Sequence, residues 1–571
     1  MRGRSFRTVS VVGAATLFLG MGCAGTSAPE DGTGAGEPAA PPPAEWVRLG
    51  GDLANTRAAA DEAVIGRDNV SDLRSAWELT DVNGVSGTPI VADGVVYVGD
   101  WTGHVRALDA TTGEELWDRD LATHYIGGAV AVDRSRVFVG TFDARVVALD
   151  RATGAPQWET PVGDHPQAVI FGSPIVADGP AGEDAGPSGL VLVGVGSFEV
   201  FAGGESPTFR GHIVGLDAET GSEVWRFWVT AGDETEGPGV SVWSSPAVDT
   251  ERGHLYIGTG QAYALPAPPR SDALLALDVE TGAEVWATQF TAGDAWTLAR
   301  PTGLDADVGA APNLFEVDGT DAVGVGDKAG AYHALDRDTG EVLWSHKLTE
   351  GGLQGGVMAS AAVHAGRVYV ASNRASQDAD LVALDADTGE EVWRVDVGAH
   401  VTGPVTWANE LLFVADDSGR IAAYDAADGR RLWSHAVAAP AAGGVAVVDG
   451  TAYAGWGWWL ASPPPDAQGG LIAFRLGDAG SGAGEPDEPG AGATSGEAVY
   501  RESCATCHGG SGEGGSGPSL VGVDERLSRA EHIDIVREGR GNMPGWDASL
   551  SREEIEAVVD YERSVLSESR G

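Results

Sequence analysis

Seven segments of this chain repeat one pattern. VRALDATTGEELW ends at Trp117, VVALDRATGAPQW at Trp158, IVGLDAETGSEVW at Trp225 and LLALDVETGAEVW at Trp286. YHALDRDTGEVLW ends at Trp344, LVALDADTGEEVW at Trp393 and IAAYDAADGRRLW at Trp433. A unit of this kind cannot bury its apolar face alone and stacks against its neighbours. Within the unit an apolar strand ends at Asp. A turn follows, with Gly free to take a positive φ, and a second strand ends in Trp. Further short apolar runs lie between units, among them VVYVGD, RVFVGT, HLYIGT and RVYVAS. That makes about four strands per repeat, as in a propeller blade. A Trp at a constant place in each blade buries a large ring against the next.

The ends of the array complete each other. Trp77, in LRSAW, lacks the preceding strand, and GLIAFRLGD (470–478) has the strand but no Trp. Pairing the two joins the first and last strands in one blade and closes the ring at eight. The expected fold is therefore an all-β eight-bladed β-propeller over 45–478, with an unclosed solenoid as the structural alternative. A propeller by itself says little about function.

The charge balance excludes one class of partner. Asp and Glu number 84 against 36 Lys and Arg, a formal net charge of -48. A nucleic-acid binder needs a basic face, so no nucleic acid is expected. Such acidity keeps a chain soluble while making it repel itself, and salt screens that repulsion. The N-terminus reads as a targeting segment over 1–23: Arg2, Arg4 and Arg7 precede a short apolar run, Val9 to Leu19. The run is too short for a mature spanning helix. LGMGC (19–23) then resembles a bacterial lipobox, with Gly20 where Leu is usual. Lipidation of Cys23 would tether the chain to a membrane without a transmembrane helix. Ordinary cleaved secretion is the alternative, and both place the mature chain outside the cytoplasm. Residues 24–44 have the composition of a flexible tether. GDAGSGAGEPDEPGAGATSG (477–496) has that of a linker, with 479–495 separating the propeller from a short domain, 496–571.

That short domain holds two of the three cysteines, in Cys504-Ala505-Thr506-Cys507-His508. Cys-X-X-Cys-His is the attachment motif of a c-type haem: the thiols form thioethers with the porphyrin and the histidine reaches the iron. A zinc site lacks its second Cys pair, and no thioredoxin-like βαβ pattern surrounds the motif. GRGNMPGW, with Met543, resembles the class I cytochromes c, and the resemblance makes Met543 the second axial ligand. His508 and Met543 as iron ligands raise the potential, which suits accepting electrons from an organic donor. GEAVYRESC reads as an amphipathic helix and 549–566 as the C-terminal helix, with Ser551 and Glu554 as a capping box. The domain is thus expected to be a small all-α cytochrome c with one covalent haem c.

The propeller itself resembles the quinoprotein dehydrogenases, which hold pyrroloquinoline quinone (PQQ) and calcium in the propeller axis. The terminal tryptophans carry the resemblance, with EWVRLGGDLANTR at the start and AGWGWWLASPPPDAQGGLIAFRLG at the end. Polyvinyl alcohol dehydrogenases and quinohaemoprotein alcohol dehydrogenases are the nearest kinds. The resemblance implies Trp243, in GVSVWSSPAVD, stacking on the quinone. It implies Lys328, in VGDKAGAYHALDR, on the quinone oxygens, where a cation stabilises charge that develops on reduction. It brings Ser173, in FGSPIVADG, to the cofactor edge. Glu199, in VGVGSFEVF, is the implied calcium ligand, with Gln261 and Asp307 completing the metal set. Asp307, in GLDADVGAAPNL, is the implied general base, favoured over Asp305, with Asp294 behind.

Three positions depart from the family pattern. Gln261 in YIGTGQAY replaces a calcium-ligating asparagine, Thr297 follows GDAW where the catalytic aspartate is usual, and Gly127 stands near the place of a cofactor-contacting arginine. The vicinal disulfide of many alcohol dehydrogenases is ruled out by the cysteine count. The activity implied is oxidation of an alcohol substrate at PQQ, with electrons passing to the chain's own haem and on to a periplasmic acceptor such as a cytochrome or an azurin-like protein. The rival reading is a non-catalytic propeller scaffold, of the outer-membrane assembly kind or docking a partner, that carries an electron-transfer cytochrome.

Overall fold

The computed structural model describes residues 45–178, 189–202, 206–232, 235–301, 303–376, 378–457 and 468–477. In the C-terminal domain it describes 496–504, 508, 512, 514, 518–540, 546, 550 and 552–566. Eight antiparallel sheets follow one another along the chain, each built on four strands. Blade 1 is typical, with Ile90–Ala92, Val95–Gly99, His104–Asp109 and Glu115–Asp120 hydrogen-bonded in chain order. Blades 2 to 7 repeat it, and blade 7 ends in Arg431–Ala436. First strands of neighbouring blades touch one another, which sets them around the axis. The second and third strands are apolar on both faces, because each blade is sandwiched between two others. The fourth strand faces solvent and is correspondingly polar, as in ELWDRD.

The repeated Asp, Gly and Trp form one docking device. Asp109 Oδ1 accepts the N–H groups of Thr111 and Thr112 (2.9 and 2.8 Å) and so shapes the turn. Gly113 then adopts φ 74°, and a Cβ there would lie 2.6 Å from the ring of Trp77 in the preceding blade. The Trp77 indole N–H donates to the Ala110 carbonyl at 3.1 Å. The same bond recurs from Trp117 to Arg151, Trp158 to Ala218, Trp225 to Val279, Trp286 to Arg337, Trp344 to Ala386 and Trp393 to Ala426. Only glycine combines the left-handed backbone with room for the neighbour's indole.

The ring closes as the half-units require. Leu73–Val82 pairs antiparallel with Gly469–Leu476, Trp77 facing Ala473, so the eighth blade is built from both ends of the array. Trp433 completes the circle by donating to the Leu73 carbonyl. Before this strand the chain crosses the channel. The carbonyls of Trp46, Val47, Leu53, Ala54, Thr56 and Arg57 accept from Val91, Val132, Val248, Leu314, Val363 and Trp407, tying six blades to one segment. Arg57 is fully buried there, with its guanidinium on the carbonyls of Val405 and Leu49 and the Thr406 hydroxyl.

The C-terminal domain is helical. Arg529–Glu538 is capped by Ser528 and Glu531, whose side chains satisfy each other's backbone N–H groups. Arg552–Tyr561 packs against the 496–504 segment, and Gly496 lets the two approach until a Cβ would lie 2.0 Å from the Ala557 carbonyl. Val499, Tyr500, Cys504, Val536, Ile555 and Val558 share its core. The Ser551–Glu554 capping box, Cys507, Met543 and Cys23 lie outside what is described, the first because Ser551 does. Among the described residues no helix is long and apolar enough to cross a membrane.

Candidate active site

The loops that enter the blades converge on a cavity of about 520 Å³, to which Ser173, Trp243, Gln261, Asp305, Asp307 and Lys328 all contribute. Trp243 comes from the loop before blade 4, and the outer edge of its ring lies against Gly309, where a Cβ would meet it at 1.7 Å. The indole is therefore a platform fixed by the loop before blade 5. Ser173 Oγ accepts the Ala129 N–H at 2.8 Å, which leaves its own O–H to donate.

Asp305, Asp307 and Lys328 form the charged end. The Lys328 N–H donates to the Asp307 carbonyl at 2.8 Å, which holds the two side chains in register. Lys328 Nζ donates to Asp305 Oδ2 at 2.6 Å and lies 3.5 Å from Asp307 Oδ2. Asp307 Oδ1 accepts the Gln261 N–H at 2.7 Å. Asp305 is in the left-handed region at φ 59°, a strained backbone for a residue with a Cβ. Asp294 maintains the loop: its two oxygens accept the N–H groups of Leu304 (2.8 Å) and Ala306 (2.9 Å). Burial, then the neighbouring Asp307, pushes Asp305 up to about 7. Burial also raises Asp307, against the pull of Lys328. Burial opposes the Lys328 charge, and Asp307 and Asp305 outweigh it, holding the ammonium above its usual range. Burial first, and then the neighbouring carboxylates, raise both groups, while the shared ammonium pulls them down.

The expected calcium set is not assembled. Glu199 does not line the cavity. Its carboxylate accepts the N–H groups of Thr208 (3.0 Å) and Phe209 (2.8 Å) and lies 3.6 Å from His165 Nε2. Gln261 and Asp307 do meet, through the Gln261 backbone, and Gln261 Nε2 donates to the Trp296 carbonyl. Among the described residues no group of three or more His, Cys, Asp and Glu side chains is placed to hold a metal ion. These donors do not fit calcium as placed, because Glu199 is spent on the Thr208 and Phe209 amides. Thr297 closes a tight turn with Arg300 instead of facing the cavity. At Gly127 a Cβ would meet nothing within 4 Å, so the wall is open where the resemblance puts an arginine.

The residues do fit a flat, acidic cofactor. Besides the platform and the ammonium, Thr88 lines the same cavity with a buried hydroxyl that has no hydrogen-bond partner. That hydroxyl is open to pairing with a ligand oxygen or a water. Thr88 carries no sequence signal, since it lies in a loop between repeats. The rim loop bearing Leu353 and Gln354 is tied down by His400, whose Nε2 lies 2.6 Å from the Gln354 carbonyl and whose Nδ1 lies 2.9 Å from Asp417 Oδ2. In the second domain His508 is buried, and its Nδ1 lies 2.8 Å from the Pro518 carbonyl. Donation there leaves Nε2 as the bare nitrogen an iron needs.

Known proteins resemble both parts of the chain. Residues 46–350 match the model of the glucose/ethanol/alcohol dehydrogenase β-propeller domain, and 491–561 match cytochrome c oxidase, cbb3-type, subunit III. Residues 328–477 match outer membrane protein assembly factor BamB. A polyvinylalcohol dehydrogenase of Pseudomonas sp is 28% identical over 70% of this chain and 68% of its own. The quinohemoprotein alcohol dehydrogenase of Comamonas testosteroni is 26% identical over 90% of each chain. The crystal structure of the latter superimposes with a TM-score of 0.65 at 22% identity, covering 92% of this chain and 96% of that one, which shows the shared fold. Matched over just over half its length, this chain belongs to the PQQ-type glucose/ethanol/alcohol dehydrogenase propeller family, as an oxidoreductase joined to a cytochrome c domain.

Proposed function

We propose that the protein oxidises an alcohol in the propeller cavity and passes the electrons to its own haem c. The observation that carries this reading is the meeting of Asp307, Lys328 and Trp243 on one cavity, in a chain that also bears Cys504-Ala505-Thr506-Cys507-His508. Trp243 would support PQQ from below, with Lys328, Ser173 and Thr88 as its donors. When bound, PQQ supplies the two-electron acceptor for the hydride that leaves the carbinol carbon. Asp307 takes the hydroxyl proton at a carboxylate oxygen. Asp305 and Lys328 set the charge around it, and Asp294 positions the loop. The positive charge beside Asp307 is the Lys328 ammonium. Cys504 and Cys507 would attach haem c, with His508 and Met543 on the iron, and a haem takes electrons one at a time. Export with lipidation of Cys23, and delivery to a periplasmic acceptor such as a cytochrome or azurin-like protein, complete the proposal.

The test is reduction of the protein's own haem. Full-length protein loaded with PQQ, with and without calcium, is mixed with primary, secondary and polymeric alcohols while the haem α-band is followed. Alcohol-dependent reduction that needs PQQ is expected. Asp307→Asn should lower its rate about 10²–10⁴-fold while PQQ affinity and the haem spectrum hold. If PQQ does not bind, the propeller is a docking scaffold and the reading fails.

A further inference from the structure

We infer that the cavity selects alcohols with an extended apolar body, which lies along a wall of aromatic rings while the hydroxyl meets Asp307. The inference rests on the alcohol-oxidising reading and names its substrate class. Six rings are in sequence contact. Trp101 stacks on Tyr125 at 4.6 Å and 3°, and Tyr125 meets Phe142 at 3.6 Å. Phe142 lies 4.7 Å from Phe198 and 5.4 Å from Phe171, and Phe198 lies 5.7 Å from Phe201. All six line the cavity.

The wall is built by the repeat itself. Trp101, Phe142 and Phe198 each come just after the second strand of a blade, Val95–Gly99, Arg136–Gly140 or Gly189–Ser197. Tyr125 and Phe171 come from the loops entering blades 2 and 3. Three successive blades therefore present apolar rings to one side of the cavity. Trp101 is fixed by its indole N–H on Ser86 Oγ at 2.8 Å. The rim is apolar too: Phe201, Leu298 and Leu353 also line the cavity and are 41%, 56% and 47% exposed. Among the described residues, the charged side chains lining the cavity are Asp305, Asp307 and Lys328 alone. A polyol laid here would press most of its hydroxyls against rings of which only Tyr125 carries a hydroxyl to pair with them, a costly arrangement. An alkyl or aryl body gains affinity with every carbon it buries.

Tertiary alcohols test this, since they lack a hydrogen on the carbinol carbon and bind without turnover. A 2-methyl-2-alkanol series of growing chain length is titrated calorimetrically into the PQQ-loaded full-length protein. Affinity should rise roughly three- to fourfold per methylene, and sorbitol should bind far more weakly. Phe142→Ala should flatten the series, with Phe142→Leu intermediate and the haem spectrum and thermal midpoint reporting that each variant is folded. A flat series in the parent, or sorbitol binding as tightly as the alkanols, overturns the inference. So does a Phe142→Ala variant that loses PQQ affinity while its chain-length slope is unchanged, because the rings would then cover the cofactor. Failure of the dehydrogenase reading shows separately, as no haem reduction by either ethanol or hexanol, whatever the calorimetric slope.

Discussion

Asp272 is a carboxyl group sealed in the propeller, fully buried, at φ 51°. Burial, followed by the charges of Asp307 and Asp294, pushes it up to about 10. The folded protein therefore keeps a proton that the unfolded chain releases near an ordinary carboxylate pKa. Stability from this group is fully present below about pH 4 and is lost as pH rises towards about 10. Asp272→Asn removes the titration with a residue that tolerates the left-handed region. Its melting temperature should exceed the parent's at about pH 8–9, with the gap closing towards pH 4. A gap independent of pH would show that Asp272 is ionised in the fold. Asp272 carries no motif, so nothing in the sequence distinguishes it from the many surface aspartates. Trp243, Lys328 and Ser173 are legible as one group because each sits in a segment that resembles the quinoprotein dehydrogenases. The direction of the Glu199 carboxylate is not legible, since it depends on two amides at 208–209 that carry no side-chain signal. The partnership of Asp305 with Lys328 likewise needs the left-handed turn at 305 to be seen.

At the scale of elements, the Gly–Trp device decides how blades dock. Gly221 has φ 72°, and a Cβ would lie 2.5 Å from the Trp158 ring and 2.8 Å from Thr160 Oγ1. Gly253 has φ 65° and nothing within 4 Å of its Cβ position. Gly253→Ala should therefore cost only the left-handed penalty, about 1–2 kcal/mol. Gly221→Ala should cost that plus displacement of a packed ring, about 2–4 kcal/mol together. Urea midpoints of the two variants check the difference. Equal losses would mean that the indole yields without cost and that blades are held by strand burial alone. The hairpin, its turn and its Trp are legible because they recur seven times with the chemistry intact. The segment 46–57 is different. It bonds to six blades through backbone carbonyls, and a backbone acceptor leaves no residue preference to read.

The whole molecule combines a closed ring with a net charge of -48. Closure was readable from counting, because a Trp without its strand at one end matched a strand without its Trp at the other. How the charge acts on stability is a question of magnitudes. Salt weakens the ion pairs at the surface, such as Arg252 with Asp338 and Arg529 with Asp560. Exposed pairs contribute only about 0–1 kcal/mol each. Salt equally weakens the repulsion among the excess carboxylates, which acts across the entire surface. Between about 0.01 and about 1 M the Debye length falls from roughly 30 to roughly 3 Å, so long-range repulsion is removed while contacts at 3 Å are only softened. Buried pairs such as Lys328–Asp305 are screened least of all. Repulsion should therefore dominate the response, and the melting temperature should climb steadily with NaCl across that range. A fall would mean that the arginine–aspartate pairs between and within blades outweigh the net charge, and that the ring is held by its surface ions rather than despite them.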